Sequence, residues 1–276
     1  MQENIDVTVV EGFGDEWSRF DQSELSEIDL LEMFNSYFHI FPWNKLSNDA
    51  VGFDLGCGSG RWAKLVAPKV GFLHCIDPSS AALEVAKRNL AGQKNCQFNL
   101  ASVDEIPLEE QSVDFGYSLG VLHHIPDTAM GIKACVSKLK EGAPFLLYLY
   151  YSFDNRPWWF RTIWKTSEIG RLLISRSPYP IRYVLSQIIA LLVYLPVARL
   201  TLLAEKIGGN VDSLPLSFYR NRSFYVMRND ALDRFGTKLE KRFSRSEMSQ
   251  MMERAGLENI VFSEQAPYWC AVGYKK

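Results

Sequence analysis

The chain predicts an α/β fold, a mostly parallel sheet with a helical segment inserted before its last strands. Three observations carry this expectation. Across residues 51–150 short apolar runs alternate with helical patterns, which implies parallel strands joined by right-handed crossovers. The first apolar run leads straight into Gly56-Cys57-Gly58-Ser59-Gly60, whose alternate glycines suit a loop where a buried strand turns into a helix and a ligand approaches the backbone. Residues 152–235 break the alternation, which returns only near the C-terminus.

Composition narrows the classes. A chain of 276 residues can bury a full α/β core and still carry an accessory region. A net charge of −2 gives no electrostatic reason to expect a nucleic-acid partner. The five cysteines, at positions 57, 75, 96, 135 and 270, show no metal-ligand spacing and fit a reducing compartment. The polar, acidic start Met1-Gln2-Glu3-Asn4-Ile5-Asp6 argues against a secretory signal, so a cytoplasmic protein is expected.

Taken in order, residues 23–38 read as a helix capped by Ser23, with Leu25, Ile28, Leu30, Leu31 and Phe34 on its apolar face. Before it, Phe13-Gly14-Asp15-Glu16-Trp17-Ser18-Arg19-Phe20 either anchors the N-terminus on the core or folds over a ligand as part of a lid. Val51-Gly52-Phe53-Asp54-Leu55 is the first strand, and Asp54 can meet a cationic group directly or through water. A dinucleotide fingerprint needs a third glycine where this chain has Arg61, so the loop suits a nucleoside without pyrophosphate.

The second strand, residues 70–76, ends at Asp77-Pro78, where a carboxylate can accept both ribose hydroxyls. Ser79 is placed to cap a helix over 81–90. The third strand, 96–100, runs toward Val103-Asp104, and Asp104 can receive an exocyclic amino group. Then comes Ser112-Val113-Asp114-Phe115-Gly116-Tyr117-Ser118-Leu119-Gly120-Val121-Leu122-His123-His124-Ile125-Pro126-Asp127.

With this stretch the chain closely resembles the class I S-adenosylmethionine-dependent methyltransferases, in the branch that includes ubiquinone and menaquinone biosynthesis enzymes. The resemblance covers roughly residues 50–150 and about the last forty. It implies a Rossmann-like sheet of seven strands with an antiparallel C-terminal edge, S-adenosyl-L-methionine as cofactor, S-adenosyl-L-homocysteine as product, and no metal. Carried over by residue, Asp54, Gly56, Gly58 and Gly60 would surround the methionine part, and Asp77 would hold the ribose. Asp104 and Val103 would face the adenine, while Ser118 and Leu119 would offer backbone groups to the amino acid end. Cys57, Pro78 and Gly120 complete the expected cofactor set.

A helix follows over 129–139 and a fifth strand over 145–151. On this reading residues 1–50 form a helical cap or lid, 51–151 with 236–276 the cofactor-binding domain, and 152–235 a helical substrate-binding insertion. The insertion is rich in aromatic and basic side chains, of which Trp158, Tyr219, Arg220, Arg222 and Tyr225 are the candidate acceptor contacts. Residues 181–204 are strongly apolar. Their uninterrupted run, 188–198, falls short of the ~20 residues that a membrane-spanning helix needs. Two readings remain for them: a buried helical hairpin, or an apolar face that touches lipid and makes the protein peripheral on a membrane. Near the C-terminus Ser244-Arg245-Ser246-Glu247 forms a capping box before Met248, Met251 and Met252, which read as core. Residues 259–262 and 268–273 read as an antiparallel edge pair.

Methyl transfer from a sulfonium is an in-line displacement that asks the protein mainly for alignment and exclusion of water. Where the acceptor must lose a proton, His123 and His124 are the candidate bases. Metal-dependent catechol-type enzymes would place acidic ligands where this chain has Leu119-Gly120-Val121. Neither the Asn/Asp-Pro-Pro-Tyr/Phe tetrapeptide of amino-methylating DNA enzymes nor the Pro-Cys nucleophile of cytosine-C5 enzymes is present. The expected acceptor is a small molecule, lipid or sugar, methylated at oxygen, carbon or nitrogen. Rival readings are a nicotinamide-dependent oxidoreductase and an inactive scaffold that binds the cofactor.

Overall fold

The computed structural model describes residues 3–211 and 214–276. The chain divides into two compact units. The first comprises residues 1–22, 30–152 and 239–276, and the second comprises 23–29 and 153–238.

The first unit is built on seven strands: β1 (Val51–Leu55), β2 (Phe72–Asp77), β3 (Cys96–Leu100), β4 (Phe115–Leu119), β5 (Pro144–Tyr148), β6 (Leu257–Phe262) and β7 (Cys270–Lys275). Their order is β3-β2-β1-β4-β5-β7-β6. The first five pair in parallel, and β7 runs antiparallel to both β5 and β6. This is the predicted mostly parallel sheet with its antiparallel C-terminal edge. The central strands are largely apolar because helices cover both faces, and every residue of β4 is buried, Ser118 included. Phe53 and Phe115 lie over the glycines of each other's strands: a Cβ on Gly116 would come within 2.4 Å of the Phe53 ring, and one on Gly52 within 2.3 Å of Phe115. Neither glycine has a residue-sized alternative without moving a ring.

The helices of this unit include α1 (Val7–Arg19), α2 (Glu27–Phe38, which continues from the second unit), α3 (Ala63–Val66), α4 (Ser80–Asn89) and α5 (Thr128–Lys138). Ser79 caps α4 as expected, accepting from Ala82 N. Two expectations for the N-terminal region need correction. The helix begins at Glu27, with Ser26 Oγ accepting from Asp29 N at 3.0 Å, so Ser23 is not its cap. Ile28 and Leu31 are exposed, and the buried side chains are Leu30, Met33, Phe34 and Phe38. Helix α1 itself is a further departure. Val7, Thr8, Val9, Val10, Gly12 and Gly14 are poor helix formers, and packing on α4 overrides them. Gly14 makes that approach possible, since a Cβ there would meet Ser79 Oγ at 2.7 Å.

The second unit holds α6 (Trp158–Ser175), α7 (Tyr179–Ile189), α8 (Leu195–Lys206) and α9 (Phe224–Gly236). Helices α7 and α8 are not a hairpin. The π-helical turn Ala190–Tyr194 joins them into one helix, Tyr179–Lys206, of 28 residues. Pro196 explains the turn: its ring would strike the carbonyl of Leu192 in an α-helix, and the wider π geometry removes that clash. This helix is long and apolar enough to cross a membrane, so the shortness expected from the run 188–198 does not hold. Nor is it buried, since only 22% of its most apolar window is covered. One side packs on α9 through Ala190, Tyr194, Ala198, Met227 and Ala231.

Back in the first unit, α10 (Arg245–Arg254) closes the chain of helices. The predicted capping box is present, with Ser244 N donating to Glu247 Oε2 at 2.8 Å. Met248 and Met252 lie in the core beside Leu257 and Phe262.

Candidate functional site

A crevice opens at the carboxyl ends of β1 and β4, where the strand order reverses, which is the place an open parallel sheet offers to ligands. With its mouth and the solvent open to it, it holds about 940 Å³ of empty space. Its lining comes from the first unit.

The glycine loop forms the floor. Gly56, Gly58 and Gly60 have φ of +74°, +53° and +74°, and Gly120, after β4, has +79°. Only glycine adopts these angles without strain. The loop is folded onto β2 by Gly56 N and Cys57 N, which both donate to Ile76 O, at 2.7 and 3.1 Å. Asp77 completes the tie: its Oδ2 accepts from Gly58 N at 2.9 Å and its Oδ1 from Ser79 N at 2.8 Å. Each carboxylate oxygen keeps a further lone pair for the crevice. Burial pushes the Asp77 carboxyl up to about 6, against the pull of these two N–H groups.

Of the residues expected to hold the cofactor, Gly56, Cys57, Asp77, Pro78, Val103, Leu119 and Gly120 line the crevice. Asp54, Gly58, Gly60, Asp104 and Ser118 stand outside that lining. Ser118 is buried and gives its hydroxyl to Leu55 O at 3.0 Å, which joins β4 to β1. Asp54 is 1% exposed, and its Oδ2 has no hydrogen-bond partner. Burial pushes its carboxyl up to about 8; the Tyr117 hydroxyl beside it opposes the rise and the Asp77 charge adds to it. The Cys57 thiol bonds to Cys75, which pulls its pKa down, but burial and the two carboxylates push it up to about 11. It stays protonated near neutrality.

The roof is the N-terminal segment. Asn4, Ile5, Asp6, Val9, Val10, Phe13 and Trp17 line the crevice, which favours the lid among the two readings of the first aromatic cluster. Trp17 lies on the glycine loop, its Nε1 only 2.8 Å from where a Gly58 Cβ would stand. Asn4 clips the segment down. Its side chain donates to Asp127 O at 2.8 Å and accepts from Asp127 N at 2.6 Å.

The two histidines differ. His124 lines the crevice, and its Nδ1 lies 2.7 Å from Leu239 O. A carbonyl only accepts, so Nδ1 carries the proton and the neutral ring keeps its lone pair on Nε2. His123 is fully buried, with its ring 3.9 Å from Tyr150 and 4.0 Å from His124 between centroids. Burial, with His124 and Arg242 nearby, holds its pKa well below the ordinary range. It does not line the crevice.

Ser59 and Arg61, which had no expected role, also line the crevice. Ser59 Oγ and Arg61 Nε are buried without hydrogen-bond partners. The Arg61 guanidinium stacks 4.3 Å from the Trp62 ring and 5.7 Å from Trp17. In the sequence Arg61 stood out only as the residue replacing a third glycine.

The candidate acceptor contacts all belong to the second unit, where Tyr219, Arg220 and Arg222 have polar partners. Tyr219 donates to Asp230 at 2.8 Å, Arg220 pairs with Glu205 at 2.9 Å, and Arg222 approaches Asp29 at 3.7 Å. Tyr225 is buried, and Trp158 is 73% exposed. Among the described residues no group of His, Cys, Asp and Glu could hold a metal ion.

Residues 53–147 match the family model described as a methyltransferase domain. The chain is 32% identical over 105 residues to the ubiquinone biosynthesis O-methyltransferase of Saccharophagus degradans, covering 37% of this chain and 43% of that protein. To phosphoethanolamine N-methyltransferase 2 of Caenorhabditis elegans it is 32% identical over 100 residues, 35% of this chain and 23% of the relative. The chain thus spans less than half the length of these relatives. A Methanococcus maripaludis structure described as an S-adenosyl-L-methionine-dependent methyltransferase superposes over 100% of this chain and 97% of its own, with a TM-score of 0.52 at 14% identity. A structure of the Haloferax volcanii Trm112 methyltransferase activator with a methyltransferase matches over 96% of both chains, with a TM-score of 0.54 at 14% identity. These likenesses show the Rossmann-like class I fold and bear out the family resemblance read from the glycine loop and the strand ends.

Proposed function

We propose that this protein binds S-adenosyl-L-methionine in the crevice and transfers its methyl group to a small-molecule acceptor by in-line displacement. The observation that carries the reading is the crevice itself: positive-φ glycines at its floor, with a buried carboxyl group at or next to the end of each of the first two strands. The residues fit the cofactor. Asp77 would take the ribose hydroxyls, and Val103 with Ile125 the base. Ser59 and Arg61, whose buried polar atoms lack partners, would meet the carboxylate of the amino acid end. Asp54 would balance its ammonium group.

When bound, the cofactor supplies a sulfonium methyl that is already activated for displacement. The protein's part is to orient and to keep water out, which falls to the α1 roof and the apolar lining. His124 is the proposed base where the acceptor must lose a proton. Its tautomer is fixed by Leu239 O, and Nε2 is the basic atom. His123 is proposed as a packing residue. The names of the curated relatives, a ubiquinone biosynthesis O-methyltransferase and a phosphoethanolamine N-methyltransferase, support acceptors of the quinone-like or small polar headgroup type.

Calorimetric titration with S-adenosyl-L-methionine, S-adenosyl-L-homocysteine and NAD tests the cofactor, and methyl transfer to phenolic, isoprenoid and amino acceptors tests the reaction. Binding of NAD alone would overturn the reading. Tight binding of both adenosyl compounds without transfer to any acceptor class would favour the scaffold.

A further inference from the structure

We infer that the second unit docks on the surface of an anionic phospholipid bilayer through the outer face of the helix Tyr179–Lys206 and the adjoining outer face of α6. Val184, Ile188, Leu191, Leu192, Leu200 and Leu203 recur at helical spacing and are all exposed, Leu192 to 67% and Leu200 to 65%. Helix α6 adds Trp158, Ile169 and Leu173, exposed to 73, 63 and 68%. So much contiguous aliphatic surface is uncommon on a protein that faces water alone.

Charge selects the occupant. Residues 156–206 carry eight arginines and lysines and two carboxylates: Glu205 pairs with Arg220 at 2.9 Å, and the other is Glu168. That carboxylate is neutralised within the unit by Arg171 at 2.5 Å and Arg234 at 2.8 Å. Arg161, Lys165 and Arg176 are exposed on or next to α6. An apolar face bordered by cations, whose carboxylates Glu168 and Glu205 are both paired with arginines, matches an acyl layer beneath anionic headgroups, with Trp158 suited to the boundary between them. A second copy of the chain would bring the same excess of cations to the contact, which disfavours a two-fold pairing of this face.

The helix lies in the plane of the bilayer and does not cross it. Its inner side, besides its apolar packing, carries polar groups already bonded to α9: Arg182 donates to Gly236 O at 2.7 Å, and Arg228 donates to Gln187 Oε1 at 2.6 Å. Crossing the bilayer would carry these groups, and the charges of α9, into hydrocarbon.

The docking is independent of the methyl-transfer reading, and one set of samples tests it. Full-length protein is floated with vesicles of phosphatidylcholine alone and of phosphatidylcholine with an equal amount of phosphatidylglycerol, at low and high salt. Protein is expected to float with the anionic vesicles at low salt and to be released by salt. The double variant Leu192→Glu/Leu200→Glu is expected to lower the bound-to-free ratio by about tenfold or more. Calorimetry with S-adenosyl-L-homocysteine, which reads the other unit, together with circular dichroism, shows that the variant is folded. Protein that stays at the bottom of the anionic gradient at low salt overturns the proposal, as does equal flotation with neutral vesicles or flotation unchanged by the double variant. A concentration-dependent dimer in light scattering, lost in the same variant, would assign the face to a second copy and overturn it as well.

Discussion

The backbone N–H of Asn4 donates to the carboxylate of Asp104 at 2.5 Å, across 100 residues of sequence. The sequence assigns that same carboxylate to an exocyclic amino group, so the N-terminal segment and an adenine would draw on one acceptor. A carboxylate has lone pairs for both. Sharing it would couple the roof to the base end of the crevice.

The clip at Asn4 should therefore set how long a ligand stays. Asn4→Ala keeps the backbone donor and removes the two side-chain bonds to Asp127. At about 1 kcal/mol each, their loss should speed dissociation of S-adenosyl-L-homocysteine by roughly tenfold or more. Stopped-flow fluorescence is the measurement, since Trp17 lies on the glycine loop and reports the roof. An unchanged dissociation rate would show that α1 does not gate the crevice.

Binding should also depend on pH through Asp77. Burial raises its carboxyl to about 6, and a protonated carboxyl accepts poorly from ribose hydroxyls. The ligand selects the ionised form, so affinity for S-adenosyl-L-homocysteine should weaken as pH falls through 6, by up to about tenfold per pH unit. Asp77→Asn should bind weakly at every pH and lose the slope. A slope retained in this variant would move the titration to another group.

The parts of the fold legible in the sequence are those where local chemistry and tertiary packing agree. Ser79 and Ser244 cap their helices because hydroxyls before apolar periodic segments have little else to do. The strand ends at Asp54, Asp77 and Leu119 follow from apolar runs broken by polar or glycine residues. Helix α1 was not legible as a helix, because Val7 to Val10 with Gly12 and Gly14 suggest extended or irregular chain until α4 is there to pack against. The helix Tyr179–Lys206 was obscured by Pro196, whose usual meaning is a break and which a π turn absorbs here. Arg61 was passed over since no local pattern tells that its guanidinium stacks on two tryptophans beside a crevice.

The paired histidines should separate on substitution. His124→Gln keeps a side-chain donor for Leu239 O and removes the basic Nε2, so maximal rate should fall by ~100-fold or more with an acceptor that must be deprotonated, while affinity for S-adenosyl-L-homocysteine holds. An acceptor that needs no base should be methylated by the variant at close to the normal rate. His123→Phe keeps a ring against Tyr150 and removes two buried nitrogens that have no partners. It should preserve the rate and raise stability by about 1 kcal/mol in denaturant unfolding. A rate lost in His123→Phe and kept in His124→Gln would reverse the assignment.

Asp54 carries the sharpest trade between stability and binding. Its carboxyl is raised from 3.8 to about 8 in the folded chain, mainly by burial, so the native state holds a proton that the unfolded state gives up. Its favourable contribution is complete below pH ~4 and is lost as pH rises through about 8. The ligand-free protein should accordingly become less stable between pH 6 and 9. One pKa unit corresponds to about 1.4 kcal/mol, so Asp54→Asn, which cannot ionise, should be more stable than the parent at pH 9 by on the order of 2–4 kcal/mol and should show a flatter pH profile. The same substitution removes the negative charge opposite the ligand's ammonium group, so affinity for S-adenosyl-L-homocysteine should drop by about tenfold or more. Urea unfolding at pH 6 and 9, with calorimetry on the same samples, reads both effects. A variant that is less stable at pH 9 would show that the buried carboxylate is held by partners stronger than Tyr117.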